Sequence, residues 1–204
     1  MGILRCKMCG APIEATENNH LVTCSYCGSK QTIIDANDEK KTNLFNRANQ
    51  LRMNCDFDSA IAAYESIISL YPQEPEAYWG LGLSKFGIEY VDDPKTKKKI
   101  PTIHRSSYEH FDRDSNYLRA LEYADIVAQE QYKHEAMEIT NIQKSILNIS
   151  KNEKPFDIFI CYKESDNEGK RTRDSVIGQE LHQLLTDKGY KVFFSNVTLE
   201  KNTL

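Results

Sequence analysis

The sequence predicts a multi-module α+β chain. It reads as a small ribbon over residues 1–34, a mostly helical, repeat-like middle over residues 43–149, and an incomplete α/β parallel-sheet segment over residues 155–204. Three observations predict this. Four of the six cysteines fall in two CxxCG knuckles near the N-terminus. The apolar pattern then settles into spacings of three and four, as amphipathic helices require. Last, an apolar run, an amphipathic stretch and a second apolar run follow one another, an order that calls for one right-handed parallel crossover.

The ribbon comes first. Cys6-Lys7-Met8-Cys9-Gly10 is repeated at Cys24-Ser25-Tyr26-Cys27-Gly28, with fourteen residues between Cys9 and Cys24. Each CxxC turn offers two thiolates from one loop, and a short hairpin brings the two pairs together as a tetrahedral set. Cys6, Cys9, Cys24 and Cys27 are therefore the expected ligands of one structural zinc ion. Leu21-Val22-Thr23 and Gln31-Thr32-Ile33-Ile34 read as short strands around the second knuckle. So small a unit has little core, and metal binding should supply much of its folding energy. His20 lies between the knuckles, but four cysteines already fill the shell. Cys55 and Cys161 read as ordinary unpaired thiols.

A charged link from Asp35 to Lys41 precedes the helices. Leu44, Ala48 and Leu51 give a first helix. After a break at Asn54-Cys55-Asp56, residues Phe57, Ala60, Ile61, Tyr64, Ile67 and Ile68 give a second, ending near Tyr71-Pro72. Ala48, Ala60, Tyr64 and Pro72 make this pair resemble one tetratricopeptide repeat. A helix from Glu76 to about Phe86 resembles the start of another, with Tyr64 and Trp79 as packing residues. Residues 90–112 interrupt the pattern, with a turn at Asp92–Thr96 and an extended piece at Ile100–Ile103. One long helix, capped by Ser115, is expected to run to about Leu147.

Ser150–Pro155 reads as a linker. Phe156-Asp157-Ile158-Phe159-Ile160-Cys161 suits a strand buried on both faces. A charged loop leads to a helix with Val176, Ile177, Leu181, Leu184 and Leu185 on its apolar side, closed by Lys188-Gly189. Tyr190-Lys191-Val192-Phe193-Phe194 is a second strand.

The run Phe156-Asp157-Ile158-Phe159-Ile160-Cys161-Tyr162, the helix ending Lys-Gly and the Tyr-Lys-Val-Phe-Phe strand resemble the opening of a Toll/interleukin-1 receptor (TIR) domain. With the ribbon and the stretch from Tyr78-Trp79-Gly80-Leu81 to Gly87-Ile88-Glu89-Tyr90-Val91, the order resembles a bacterial TIR-protein architecture. The resemblance implies a five-stranded parallel sheet, of which two strands and one helix precede Leu204, so the TIR segment is expected to be truncated. Val197-Thr198-Leu199-Glu200 resembles the start of the loop after the second strand.

Complete bacterial TIR domains commonly hydrolyse NAD to nicotinamide and ADP-ribose products, in defence or signalling, with a glutamate near the ribose. By position in the first box, Tyr162 and Lys163 match pocket residues and are the expected cofactor-binding pair. Glu164 stands where some members carry a second basic residue. None of Glu164, Asp166, Glu168 or Glu200 matches the catalytic position, so no catalytic residue is assigned and this chain is expected to be inactive. The alternative is a non-enzymatic adaptor, acting through protein partners or self-association of its helical and TIR regions.

The formal net charge of -4 argues against a generally basic, nucleic-acid-binding surface. Residues 10–23 carry Glu14 and Glu17 but no Lys or Arg, and no nucleic-acid partner is expected. No stretch approaches the ~18 apolar residues of a membrane span. With the first knuckle so close to Met1 there is no room for a signal peptide, and thiolates held by metal suit the reducing cytoplasm.

Overall fold

A computed structural model of the chain describes residues 3–13, 21–34, 38–105, 107–152 and 155–195. The architecture is mixed α+β, with helices accompanied by small two-stranded sheets. Two compact units divide it, residues 1–147 and residues 148–204.

In the first unit each knuckle sits beside its own antiparallel ladder. β1 (Leu4–Arg5) pairs with β2 (Pro12–Ile13), and β3 (Leu21–Thr23) pairs with β4 (Lys30–Thr32). α1 (Glu39–Met53) starts earlier than its apolar spacing implies. Asp38 caps it by accepting a hydrogen bond from the Lys41 amide, which draws the supposed link residues 39–41 into the helix. α2 (Phe57–Leu70) and α3 (Pro75–Lys85) follow, capped by Asp56 and Glu74. Pro75 occupies the first turn of α3, where no amide hydrogen is needed.

The ribbon does not build its own core. Leu4, Met8, Ile13, Ile33 and Ile34 share one buried cluster with Phe45, Ala48, Ala60, Tyr64 and Ile67 of α1 and α2. A second cluster centres on Trp79, which is fully buried, stacked on Tyr132 with ring centroids 4.8 Å apart and edge-on to Phe111 at 5.4 Å. Tyr64 and Trp79 are thus packing residues.

The interrupting segment is a regular hairpin rather than a turn plus an isolated extended piece. β5 (Ile88–Asp92) and β6 (Lys99–Ile103) pair antiparallel in full register. Asp93 organises the connecting turn by accepting bonds from the Lys95 amide and the Thr96 hydroxyl.

The single helix expected from Ser115 is two helices. α4 (Ser115–Tyr123) is capped by Asp114, whose carboxylate accepts from the amides of Asn116 and Tyr117; Ser115 lies inside the first turn. The chain turns extended at Ala124 (φ -78, ψ 147), and the Asp125 carboxylate accepts from the Ala128 amide to start α5 (Ile126–Asn152). A second capping carboxylate within an unbroken apolar stripe thus divides the helix. Ala128, Tyr132, Ala136 and Ile139 of α5 line the second core cluster.

In the second unit β7 (Ile158–Phe159) and β8 (Val192–Phe193) pair parallel, joined through α6 (Arg173–Asp187). The expected long strands contract to two residues each, and no continuous parallel sheet forms among the described residues. Phe159 is 66 % exposed and Cys161 is exposed, so β7 is not covered on both faces. Single main-chain bonds continue the pairing on either side, from the Asp157 amide to the Lys191 carbonyl and from the Ile160 amide to that of Phe193. The loop resembled by Val197–Glu200 lies outside the described residues, as do Glu14, Glu17 and His20. No helix among the described residues is long and apolar enough to cross a membrane.

The α2–α3 contact depends on Gly80. A β-carbon there would lie 2.3 Å from the ring of Tyr64. Gly80→Ala is expected to destabilise the protein by about 1–3 kcal/mol through overpacking. Denaturant unfolding followed by the fluorescence of Trp79, the sole tryptophan, measures it; unchanged stability would mean that the two helices separate freely.

Candidate metal centre

The two knuckles adopt the same local fold. In each, the glycine amide bonds back to the first cysteine carbonyl, Gly10 to Cys6 at 2.8 Å and Gly28 to Cys24 at 2.9 Å. Both glycines take left-handed conformations, φ 77 and φ 70, which a side chain would strain. The cysteine amides then bond forward, Cys6 to the Ala11 carbonyl and Cys24 to that of Ser29.

These turns aim all four sulfur atoms at one point. Cys6, Cys9, Cys24 and Cys27 place their Sγ atoms within 4.8 Å of one another. The cross-knuckle separations are 3.8 Å for Cys6–Cys27 and 3.7 Å for Cys9–Cys24. A thiolate tetrahedron with metal–sulfur bonds of about 2.3 Å has edges of about 3.8 Å. Cys6 and Cys24 are buried, and Cys9 and Cys27 partly so. The donor set fits a soft, tetrahedral metal ion, and the four residues expected to converge do so.

Burial pushes the thiols of Cys6 and Cys9 above their ordinary range. Burial acts the same way on Cys24, but hydrogen bonds from the amides of Cys27 and Tyr26 outweigh it and bring that thiol down to about 7. Metal binding must displace the protons that burial retains. Surrounding donors already favour charge on sulfur: the Gln31 side-chain amide donates to Cys6 Sγ at 3.1 Å, and the Met8 amide donates to the same atom at 3.4 Å. Gln31 is itself oriented by the Lys7 amide, which donates to its carbonyl at 3.0 Å.

Lys7, between the cysteines of the first knuckle, is buried rather than solvated. Its ammonium donates to Glu76 Oε1 at 2.6 Å and to the Thr32 hydroxyl at 2.8 Å. Glu76 Oε2 accepts from Thr32 at 2.5 Å and from the Tyr132 hydroxyl at 2.8 Å. Burial, with the Glu76 charge beside it, raises the Tyr132 phenol well above its usual range, so it stays a donor. The Lys7 carbonyl accepts from the buried guanidinium of Arg52, which also donates to the Ile88 carbonyl at 3.1 Å. Sequence reasoning missed this network. Glu76 was legible only as an acid in a first helical turn, and nothing in the spacing of Lys7 marks it as buried.

At the second candidate site, Tyr162 is half-buried. Its ring stacks on Phe194 with centroids 4.9 Å apart, and its hydroxyl lies 3.0 Å from Ser195 Oγ. Lys163 is exposed, and its carbonyl accepts from the Thr172 hydroxyl that caps α6. Asp157 of the same box accepts from the Lys191 amide at 2.7 Å, while its own amide donates to the Lys191 carbonyl at 2.7 Å. That reciprocal pair fixes the register of β7 on β8.

Removing one partner of a buried ion pair leaves an uncompensated charge. Lys7→Met is expected to cost about 3–5 kcal/mol, and the double change Lys7→Met with Glu76→Leu distinctly less. A double-mutant cycle in denaturant measures the coupling. A double variant no more stable than Lys7→Met would remove the ion pair from this role.

Comparison of the chain with protein-family models, with curated proteins and with solved structures finds no match.

Proposed function

We propose that this chain couples a zinc-clasped helical module to the opening β–α–β of a TIR-type domain, and that it serves in signalling or defence. NAD hydrolysis, in this reading, is the activity of the complete family form. The observation that supports it is the parallel pairing of Ile158 with Val192 and Phe159 with Phe193 around α6, in the order of the resemblance. In that form Tyr162 packs against the nucleotide, and Lys163, exposed in the segment that follows β7, meets its phosphates. The chemistry calls for a carboxylate near the ribose, whose carbon becomes cation-like as nicotinamide leaves. These residues supply no carboxylate assigned to that task.

A second reading, an adaptor acting by protein association, is favoured by α6. Val176, Ile177, Leu181 and Leu184 are 42–58 % exposed on it, a row suited to a partner surface or a second copy.

Zinc is the metal that the four-thiol centre suits best. It has no redox chemistry here, and with all four positions taken by protein it would be structural. Protein purified without added metal should carry one zinc per chain at this centre. Cys24→Ser should release it and loosen the ribbon, since metal affinity is folding energy in so small a unit. Elemental analysis together with circular dichroism checks both; a metal-free, well-folded ribbon would defeat the assignment.

The 204-residue chain should release no nicotinamide from NAD, because cleavage needs a pocket held to about 0.5 Å and a placed carboxylate. A full-length TIR protein serves as positive control, and the longest product that the gene encodes is assayed alongside. Turnover by the 204-residue chain, lost in Tyr162→Ala or Lys163→Ala, would show the catalytic machinery to be misplaced. Silence of the longest product would transfer the function to the adaptor.

A further inference from the structure

Cys55, Glu89 and His104 form a second cluster of metal-binding side chains, from the α1–α2 turn, β5 and the end of β6. Their ligand atoms all lie within 4.8 Å of one another. Cys55 Sγ is 4.0 Å from His104 Nε2, and Glu89 Oε2 is 2.6 Å from the same nitrogen.

That shared nitrogen decides between two chemistries. A cysteine nucleophile activated through histidine needs the thiol on one ring nitrogen and the orienting carboxylate on the other, so that a proton can be taken up on one side while the other holds the ring. Here thiol and carboxylate both face Nε2. The imidazole cannot relay between them, and three donor atoms instead converge on one point.

The framework of the cluster stands without a metal. Cys55 takes a left-handed conformation, φ 59, uncommon for a residue with a side chain. The end of α1 holds it there: the Cys55 amide donates to the Arg52 carbonyl and the Asp56 amide to that of Leu51, both at 3.0 Å. The His104 amide donates to the Gly87 carbonyl at 2.9 Å, and the imidazole lies against the Phe57 ring with centroids 5.4 Å apart. Arg105 donates to Asp58 at 2.8 Å, tying the end of β6 to the start of α2. The Glu89 and His104 side chains are 31 % and 43 % exposed, which gives an ion an entry path.

We propose that Cys55, Glu89 and His104 bind a transition-metal dication, separate from the four-thiol centre, with the fourth position left to water. One thiolate, one imidazole and one carboxylate select a zinc- or cobalt-like ion over calcium or magnesium. Thiolate and carboxylate together neutralise the dication. Binding requires small adjustments only. Nitrogen and oxygen ligands on a tetrahedral ion stand about 3.3 Å apart and sulfur and nitrogen about 3.6 Å, so Glu89 moves outward by about 0.7 Å and Cys55 inward by about 0.4 Å.

The test uses the full chain with its four-thiol centre loaded with zinc and loosely held metal removed. Cobalt(II) is then titrated in, while thiolate-to-cobalt absorption and zinc release are both followed. The expected result is one further equivalent bound with a thiolate band and no zinc released. Cys55→Gly, which suits the left-handed backbone, should abolish that band, and His104→Gln should weaken binding at least about tenfold. Zinc content and the helical circular dichroism should stay unchanged in both variants. The proposal is overturned by no cobalt uptake, by uptake matched by zinc release, or by a band that survives Cys55→Gly and His104→Gln.

Discussion

The first unit depends on an ion pair that water does not reach. Lys7 and Glu76 meet at 2.6 Å with side chains only 4 % and 9 % exposed. Taking both charges out of water costs several kcal/mol per ion, and attraction offsets that only where the remaining donors and acceptors are satisfied. Here they are. Lys7 also donates to Thr32, and both oxygens of Glu76 accept, one from Lys7 and the other from Thr32 and Tyr132. Four segments are thereby pinned at one point: the first knuckle, the strand leaving the second, the start of α3 and the first third of α5. The apolar residues around them tolerate many packings, whereas this set of bonds admits one.

The ion pair explains how so small a ribbon holds its place. Its apolar residues join the α1–α2 core instead of forming one of their own, and the ammonium fixes the orientation in which they do so. The dependence runs both ways. Lys7 sits between two candidate metal ligands, and its backbone shape is that of the knuckle. A metal bound by those thiols would brace that turn and with it the position of the ammonium. A metal held by the four thiols and the helices would thus stabilise each other, through a lysine that on sequence alone belongs only to a turn.

Much of the fold was legible because its signals are local. CxxCG spacing fixes which thiols can converge, and the three-and-four spacing of Ala48, Ala60, Tyr64 and Ile67 identifies the buried faces that the structure contains. Helix boundaries were less legible, for they rest on single carboxylates. Asp38 extends α1, Asp114 displaces Ser115 as a cap, and Asp125 cuts one apolar stripe into two helices. Each competes with a residue next door that would cap or propagate nearly as well. Strand length in the second unit was illegible for another reason. The apolar run of Phe156–Cys161 is the same whether neighbours cover it or not, and only the neighbours decide how much of it pairs. The clustering of Cys55 with Glu89 and His104 was hidden too, because the β5–β6 hairpin brings to the α1–α2 turn residues that lie 34 and 49 positions further along the chain.

Arg52 joins these features. The residue is 1 % exposed; its guanidinium donates to the Lys7 carbonyl in the first knuckle and to the Ile88 carbonyl next to Glu89, while its own carbonyl accepts from the Cys55 amide. The guanidinium carbon also lies over the Tyr90 ring, 5.4 Å from its centre. A lysine could not replace it, since a single ammonium cannot reach two diverging carbonyls from a fixed fork. Arg52 is thus bonded both to the turn that carries two thiols of the four-thiol centre and to the backbone that carries Cys55 and Glu89. The Cys55 amide bonds to the Arg52 backbone carbonyl, so the turn that carries this thiol is held by the same residue whose guanidinium holds the first knuckle.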